Sequence, residues 1–382
     1  MSGLSTRAVH AGEERPGHGG AVVTPIFQSA TFVSGGPGGL PEVTYGRYQN
    51  TPSHKVLHAR LAALEGTEDA VVTATGMAAM TAALLGLCES GDHLLAAQGL
   101  YGGTHVLLTE ELPKLGIRAT FVDAHRPETW AAAAQPRTRA FIVETISNPM
   151  CRVCDLKAVA EFCRARGIVS LVDNTFASPV NFRPAEHGFD LIHHSATKYL
   201  NGHTDVLAGV IAGRRELVAR AVKVVRRLGG SLDPHACFLL ERGLKTLVLR
   251  VERQNANALR VAEFLARHPK ISATHHPGLP AHPDHARARE LLKGFGGMLS
   301  FDLRGGGGAA DLFLAAVKIP WVAPSLGGVE SLLSRPAATS HAMLAPQERA
   351  ALGITDGTVR MSVGIEDADD LIADLDQALD RC

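Results

Sequence analysis

The sequence predicts an α/β protein with a large, mostly parallel sheet domain and a smaller C-terminal α/β domain. Three observations predict it. Short apolar runs alternate with helical segments between residues 56 and 240, the pattern of parallel strands with helices on both faces. A long helical stretch then separates that alternation from a second, shorter set of elements. The chain is also 46% apolar and 20% charged over 382 residues, which is ordinary globular composition with ample core.

Residues 1–55 are rich in Gly, Pro and Thr and read as an extended arm, with Gly35–Gly39 as its most flexible part. Val56, Leu57, Arg60, Leu61 and Leu64 then hold a helical stripe that Gly66 ends. A strand over Ala70–Thr75, a turn at Gly76 and a helix over Met77–Leu87 follow. His93–Ala97, Ala119–Val122, Ala140–Glu144, Val169–Val172 and Phe189–Ile192 are strand-like, and Leu156–Arg166 is helical. Leu239–Arg267 reads as one long helix, ended by His268-Pro269. Beyond it come a strand over Gly296–Asp302, a flexible Gly305–Gly308, a helix around Asp311–Val317 and a final helix over Leu371–Leu379. The resulting division is an arm over 1–55, a large domain over 56–240 and a small domain over 241–382.

Charge and cysteine usage exclude several function classes. Thirty-eight basic side chains match 38 acidic ones, which leaves no electrostatic footprint for nucleic acid or an anionic membrane. Residues 70–88 carry no charge. Thr73, Thr75, Gly76 and Thr81 interrupt the run, however, and Glu68, Asp69 and Glu89 flank it, so a strand, turn and helix explain it better than a membrane span. The six cysteines are too sparse and irregular for a disulfide scaffold, and the N-terminus lacks the apolar core of a signal peptide. Both point to a cytoplasmic protein.

Three segments carry chemistry. In Ser195-Ala-Thr-Lys198, after a strand-like run, an extended backbone would point both hydroxyls the same way at the strand's C-terminal end, where open α/β sheets bind ligands. Two hydroxyls followed by a lysine suit a phosphate-bearing aldehyde cofactor, the hydroxyls on the phosphate and the amine on the aldehyde. A solvated turn is the plainer reading of such a cluster taken alone. Asp173 ends the apolar run Ile168–Val172; it could cap a helix, or hold a pyridine nitrogen protonated. Thr75-Gly76-Met77 offers backbone N–H groups at a helix start, which suits a phosphate.

Taken together and in order, these segments resemble the Cys/Met-metabolism family of pyridoxal-phosphate enzymes. The likeness runs almost end to end. It includes Ala8–Gly12, Val23–Gln28, Tyr45-Gly-Arg47, Thr75–Ala79, Tyr101-Gly-Gly-Thr104, Glu144–Pro149, Val172–Phe176, His194–Leu200, Ser325–Ser331 and Val359–Asp367. The resemblance implies fold-type I (aspartate-aminotransferase-like) architecture and pyridoxal 5'-phosphate as cofactor. By that resemblance Lys198 is the Schiff-base lysine and proton shuttle, Asp173 the partner of the pyridine nitrogen, and Tyr101 the ring that stacks on the cofactor. Gly76, Met77, Ser195 and Thr197 would hold the phosphate, completed by Tyr45 and Arg47 from a neighbouring subunit. Arg360 would bind the substrate carboxylate, assisted by Asn148 and Ser325. The implied partners are a small amino-acid substrate and further copies of the chain, a tetramer built as a dimer of dimers.

Other features receive plainer readings. Cys151 and Cys154 lack the second pair of a zinc ribbon and sit in a loop, so no metal is expected. His275, His276, His282 and His285 read as a surface loop of the small domain, and His193 and His194 as packed or capping residues. Among the family's reactions, Lys318–Gly328 and Asn201–Gly209 are similar to cystathionine γ-synthases. The glycine in Tyr101-Gly-Gly-Thr104 disfavours a methionine γ-lyase. Thr44 and Pro324 stand where cystathionine-handling members often carry acids. The expected activity is therefore γ-replacement or γ-elimination on homoserine esters or cystathionine. An O-acylhomoserine sulfhydrylase or specialised γ-replacement enzyme comes next, then a β-lyase. From other classes, a catalytically silent binding protein is disfavoured by the presence of Lys198, Asp173, Tyr101 and Arg360 together. A dinucleotide-binding oxidoreductase is disfavoured because no Gly-x-Gly-x-x-Gly turn with a downstream acid follows an early strand.

Overall fold

The computed structural model describes residues 3–35, 42–340, 342 and 345–382. Most of the glycine-rich segment 35–39 lies outside the described residues. Two sheets organise the chain. The first contains β1 (Asp69–Thr73), β2 (His93–Ala97), β3 (Arg118–Val122), β4 (Thr138–Glu144), β5 (Val169–Asp173), β6 (Leu191–Ser195) and β7 (Gly209–Gly213). Their order is β1-β7-β6-β5-β4-β2-β3, and every pairing is parallel except the two made by β7. The centres of the middle strands are buried because helices cover both faces, and they accordingly read as unbroken apolar runs such as Ala140–Val143. The second sheet contains β8 (Ile271–His275), β9 (Met298–Leu303), β10 (Trp321–Val322), β11 (Leu332–Ser334) and β12 (Thr358–Ser362), in the order β10-β11-β12-β9-β8.

Each sheet has its own apolar core. One gathers residues from Ala8 to Leu326, the other residues from Ala258 to Leu379, and the helix Leu247–Arg267 contributes to both. Among the described residues no helix is long and apolar enough to cross a membrane.

Several elements depart from the sequence expectation for local reasons. Leu239–Arg267 is two helices, Pro234–Leu244 and Leu247–Arg267. Arg250 of the second donates to the carbonyls of Gly243 (2.9 Å) and Tyr199 (2.9 Å), satisfying the first helix's end and letting the chain break there. Gly305–Gly308, expected to be flexible, opens the helix Gly306–Ala316. Arg335 donates to the Gly307 carbonyl at 3.1 Å, so the run is held as the first turn of a helix. Within the arm, Leu4–His10 forms a helix whose Ala8 enters the large core.

The histidine segment 275–285, expected at the surface, is largely buried. Asp284 accepts from Arg152 (2.6 and 3.2 Å) and from the Val153 amide (3.0 Å), which clamps the segment against the loop after β4. Its rings bond locally: His275 to Asp302 (3.0 Å), His285 to the Pro277 carbonyl (2.8 Å), and His276 to the Gly296 carbonyl.

Candidate active site

The polar residues cluster at the C-terminal ends of the parallel strands, the binding edge of such a sheet. Strand register does much of the positioning. Glu144, last in β4, is the partner of Asp173, last in β5, and Asp173 is in turn the partner of His193 in β6.

Asp173 is densely partnered. The Thr175 amide donates to its Oδ1 at 2.9 Å and the Thr175 hydroxyl donates to the same oxygen, while His193 Nδ1 stands 2.9 Å from Oδ2. Burial works against its charge, but His193 and the Thr175 donors outweigh it and hold the carboxyl below the usual carboxylate range. Glu144 goes the other way. Burial and then the nearby Asp173 charge push it up to about 8, so it is mostly protonated at neutral pH. Its Oε1 accepts the Tyr101 amide at 2.6 Å, fixing the start of the short helix Gly102–Val106. A Cβ on Gly103 would lie 2.7 Å from the Tyr101 ring and 3.0 Å from Met77 Sδ, so Tyr101 lies beside the start of the helix Gly76–Leu87.

That helix start presents free backbone amides. Thr75 caps it by accepting from the Ala78 amide at 3.0 Å, and the Gly76 and Met77 amides are left without a partner among the described residues. A Cβ on Gly76 would come within 3.0 Å of Ser195 Oγ, so only glycine lets the amides approach that hydroxyl. Thr197 differs from expectation. The strand ends at Ser195, and Thr197 lies in the following turn, where its hydroxyl donates to the Ala208 carbonyl (3.3 Å) and accepts from the Ala208 amide (3.0 Å).

Lys198 closes the same turn. Its Nζ donates to Ser325 Oγ at 2.6 Å. Burial, and then the charge of Arg360, bring the amine down to about 8, so a substantial neutral fraction exists near neutral pH. Arg360, buried on β12, donates to Asn148 Oδ1 (3.1 Å) and to the Ser325 carbonyl (3.1 Å). Ser325 thus holds the amine by its side chain and the guanidinium by its backbone. It does so at φ +88°, a left-handed conformation costly for a non-glycine residue.

The structure therefore brings together Gly76, Met77, Tyr101, Asn148, Asp173, Ser195, Lys198, Ser325 and Arg360 around one edge, with Thr197 beside it. Tyr45 and Arg47 stand apart. The Arg47 guanidinium lies 5.6 Å from the Tyr45 ring centre and donates to the Arg226 carbonyl, while Ser231 donates to the Arg47 carbonyl. Thr44 is buried with its hydroxyl unpartnered among the described residues, and Pro324 is exposed. The thiols of Cys151 and Cys154 are buried against backbone carbonyls.

Sequence reasoning gave no role to Glu144 and read His193 as a packed or capping residue. Reading the last polar residue of each successive apolar strand would have found both, because parallel register sets those residues side by side.

An amine with a neutral fraction, an ionised carboxylate, a helix start with two free amides beside the Ser195 hydroxyl, and a buried guanidinium form a donor set that fits a phosphate-bearing aldehyde and an α-amino acid. Comparison with known proteins agrees. Residues 5–380 match the family described as Cys/Met metabolism PLP-dependent enzyme. The chain is 41% identical to an L-methionine gamma-lyase of Pseudomonas putida, with 99% of this chain and 98% of that protein covered. It is 42% identical to a cystathionine gamma-lyase of Bacillus subtilis (98% and 99%) and 41% identical to a chloroplastic cystathionine gamma-synthase 1 of Nicotiana tabacum (98% and 71%). The crystal structure of metB from Corynebacterium glutamicum superposes with a TM-score of 0.94 at 37% identity, covering 100% of this chain and 98% of that one. The chain belongs to the Cys/Met-metabolism family of pyridoxal-phosphate-dependent enzymes, with the fold-type I architecture of that family.

Proposed function

We propose that this enzyme catalyses γ-replacement or γ-elimination on homoserine esters or cystathionine, in the manner of a cystathionine γ-synthase or γ-lyase. The observation that carries this reading is the Lys198–Ser325–Arg360 bracket, which sets a partly neutral amine beside a buried guanidinium. An O-acylhomoserine sulfhydrylase is the first alternative and a β-lyase the second.

Bound pyridoxal phosphate supplies an electron sink for the negative charge that develops on the substrate. The Gly76 and Met77 amides and Ser195 would hold its phosphate, and Thr197 would join them by turning its hydroxyl from Ala208. Asp173 would accept the ring N–H, and the Tyr101 ring would lie on the cofactor. Arg360, oriented by Asn148 and the Ser325 carbonyl, would fork onto the substrate carboxylate and so aim its Cα–H at Lys198. Lys198, neutral in part, would take that proton at Nζ and deliver one further along the substrate chain, with Tyr101 as a second acceptor.

Assembly is part of the proposal. Val22, Val33 and Val43 are 91%, 73% and 63% exposed in the segment that also carries Tyr45 and Arg47, which favours burial against another copy. We place Tyr45 and Arg47 at a neighbour's phosphate, in a homotetramer acting in the cytoplasm.

Kinetics across homoserine esters, homocysteine-sized substrates and cystathionine, with Thr44→Glu and Pro324→Glu variants, test the substrate assignment. An uncharged far pocket leaves a distal ammonium desolvated without a counter-charge, costing on the order of 1 kcal/mol or more. The acidic variants should then lower KM for cystathionine alone. A wild-type kcat/KM for cystathionine far above that for every shorter substrate would refute the uncharged-pocket argument. Borohydride reduction that placed the pyridoxyl group on a lysine other than 198 would refute the site.

A further inference from the structure

We propose that His193 is a positioning residue: its protonated ring pairs with Asp173 and bonds the Gly76 carbonyl, joining the ring-nitrogen partner and the helix start at Gly76 into one unit. This rests on the reading that Asp173 faces the cofactor ring nitrogen.

Hydrogen-bond bookkeeping at the ring carries it. His193 is 3% exposed, and its Nε2 stands 2.9 Å from the Gly76 carbonyl oxygen. A carbonyl only accepts, so Nε2 bears a hydrogen. Nδ1 stands 2.9 Å from Asp173 Oδ2, with its N–H line bent away from that oxygen. A bare Nδ1 would set a partly negative nitrogen 2.9 Å from an ionised oxygen in a buried site, whereas a proton on Nδ1 turns the same proximity into attraction. The arrangement is thus read as an imidazolium beside a carboxylate. The other carboxylate oxygen is already filled by Thr175, so Oδ2 is the edge that His193 controls.

The surroundings agree. Glu144 of β4 flanks Asp173 on its other side, and its proton leaves Asp173 as the one negative charge in the row. Ile211 is the register partner of His193 on β7 and brings no charge. Burial opposes a charge on the ring, yet Asp173 and the Gly76 carbonyl together raise His193 above the ordinary imidazole range. Gly76 begins the helix whose start presents the free amides, so one ring reaches both ends of the cofactor site.

The test has a readout that needs no cofactor. Nitrogen NMR of histidine-labelled apoenzyme at neutral pH should show one buried ring protonated at both nitrogens. That signal should vanish in His193→Gln and change in Asp173→Asn. In reconstituted enzyme, His193→Val should weaken cofactor binding about 10–100-fold, the loss expected when one charge-assisted interaction is removed. It should also shift the visible band and its pH dependence. His193→Gln, which retains an N–H donor, should recover part of the affinity. A neutral imidazole in the wild-type spectrum, or His193 variants with unchanged band and affinity, would overturn the proposal. Asp173→Asn separates the two levels. If it too leaves the cofactor unaffected, the assignment of Asp173 itself fails; if it alone disturbs the cofactor, only the role of His193 fails.

Discussion

Replacing Arg360 with methionine should raise the pH at which Lys198 becomes reactive, by a limited amount. The fall of the amine from 10.5 to about 8 corresponds to about 3.4 kcal/mol between its two protonation states. Burial is the larger cause and Arg360 the smaller, so removing the guanidinium should return less than half of it. The midpoint should therefore move up by about one pH unit or less, to between about 8 and 9. The assay is the rate at which apoenzyme binds pyridoxal phosphate as a function of pH, followed by absorbance, with peptide mapping to locate the label on Lys198. At pH 7 the wild-type amine is about one-tenth neutral, against less than a thousandth for an ordinary lysine, so the two profiles separate widely. Linkage gives a second check. The folded chain binds fewer protons here than the unfolded one, so this group makes stability rise with pH between about 8 and 10.5. A wild-type midpoint near 10, or a methionine variant with an unmoved midpoint, would refute this account of the site's electrostatics.

Other outcomes follow from the same geometry. Glu144→Gln keeps an acceptor for the Tyr101 amide and removes a carboxyl that is protonated when folded and ionised when unfolded. Wild-type stability should decline from about pH 4.5 to 8 relative to this variant, by at most about 4–5 kcal/mol, as denaturant midpoints across that range would show. Asp284→Ala strips the half-exposed Arg152 and Arg287 and the buried Val153 amide of a partner and should cost about 1–3 kcal/mol in chemical denaturation. A loss near zero would mean the clamp is idle. Arg47→Ala and Lys198→Ala subunits should each be weak alone and regain activity when mixed. Absence of recovery despite demonstrated subunit exchange would count against a shared site.

What the sequence revealed and what it hid have different physical origins. His93–Ala97 and Leu156–Arg166 were legible to the residue because apolar period and flanking turn residues agree there. The break at Lys245–Thr246 was hidden because the residue that resolves it, Arg250, acts through carbonyls of a remote turn. The buried histidine segment was misread because its Pro-Gly composition is that of a surface loop, whereas its burial depends on the Arg152–Asp284 pair, 132 residues apart. In the candidate site, residues carried by local motifs such as Ser195–Lys198 stood out in the text. The row Glu144–Asp173–His193 exists only through lateral pairing of three strands, which no local window contains.

That lateral pairing has an evolutionary consequence. Side chains alternate across a sheet, so a one-residue slip of β5 would turn Asp173 away from its place between Glu144 and His193. Interior substitutions that loosen strand alignment would thus extinguish chemistry before they unravel the fold. Thr44 and Pro324 lie outside the strands, where the chain can change without disturbing any alignment. A descendant could exchange what it consumes by altering such loop positions while its inherited catalytic apparatus stayed untouched.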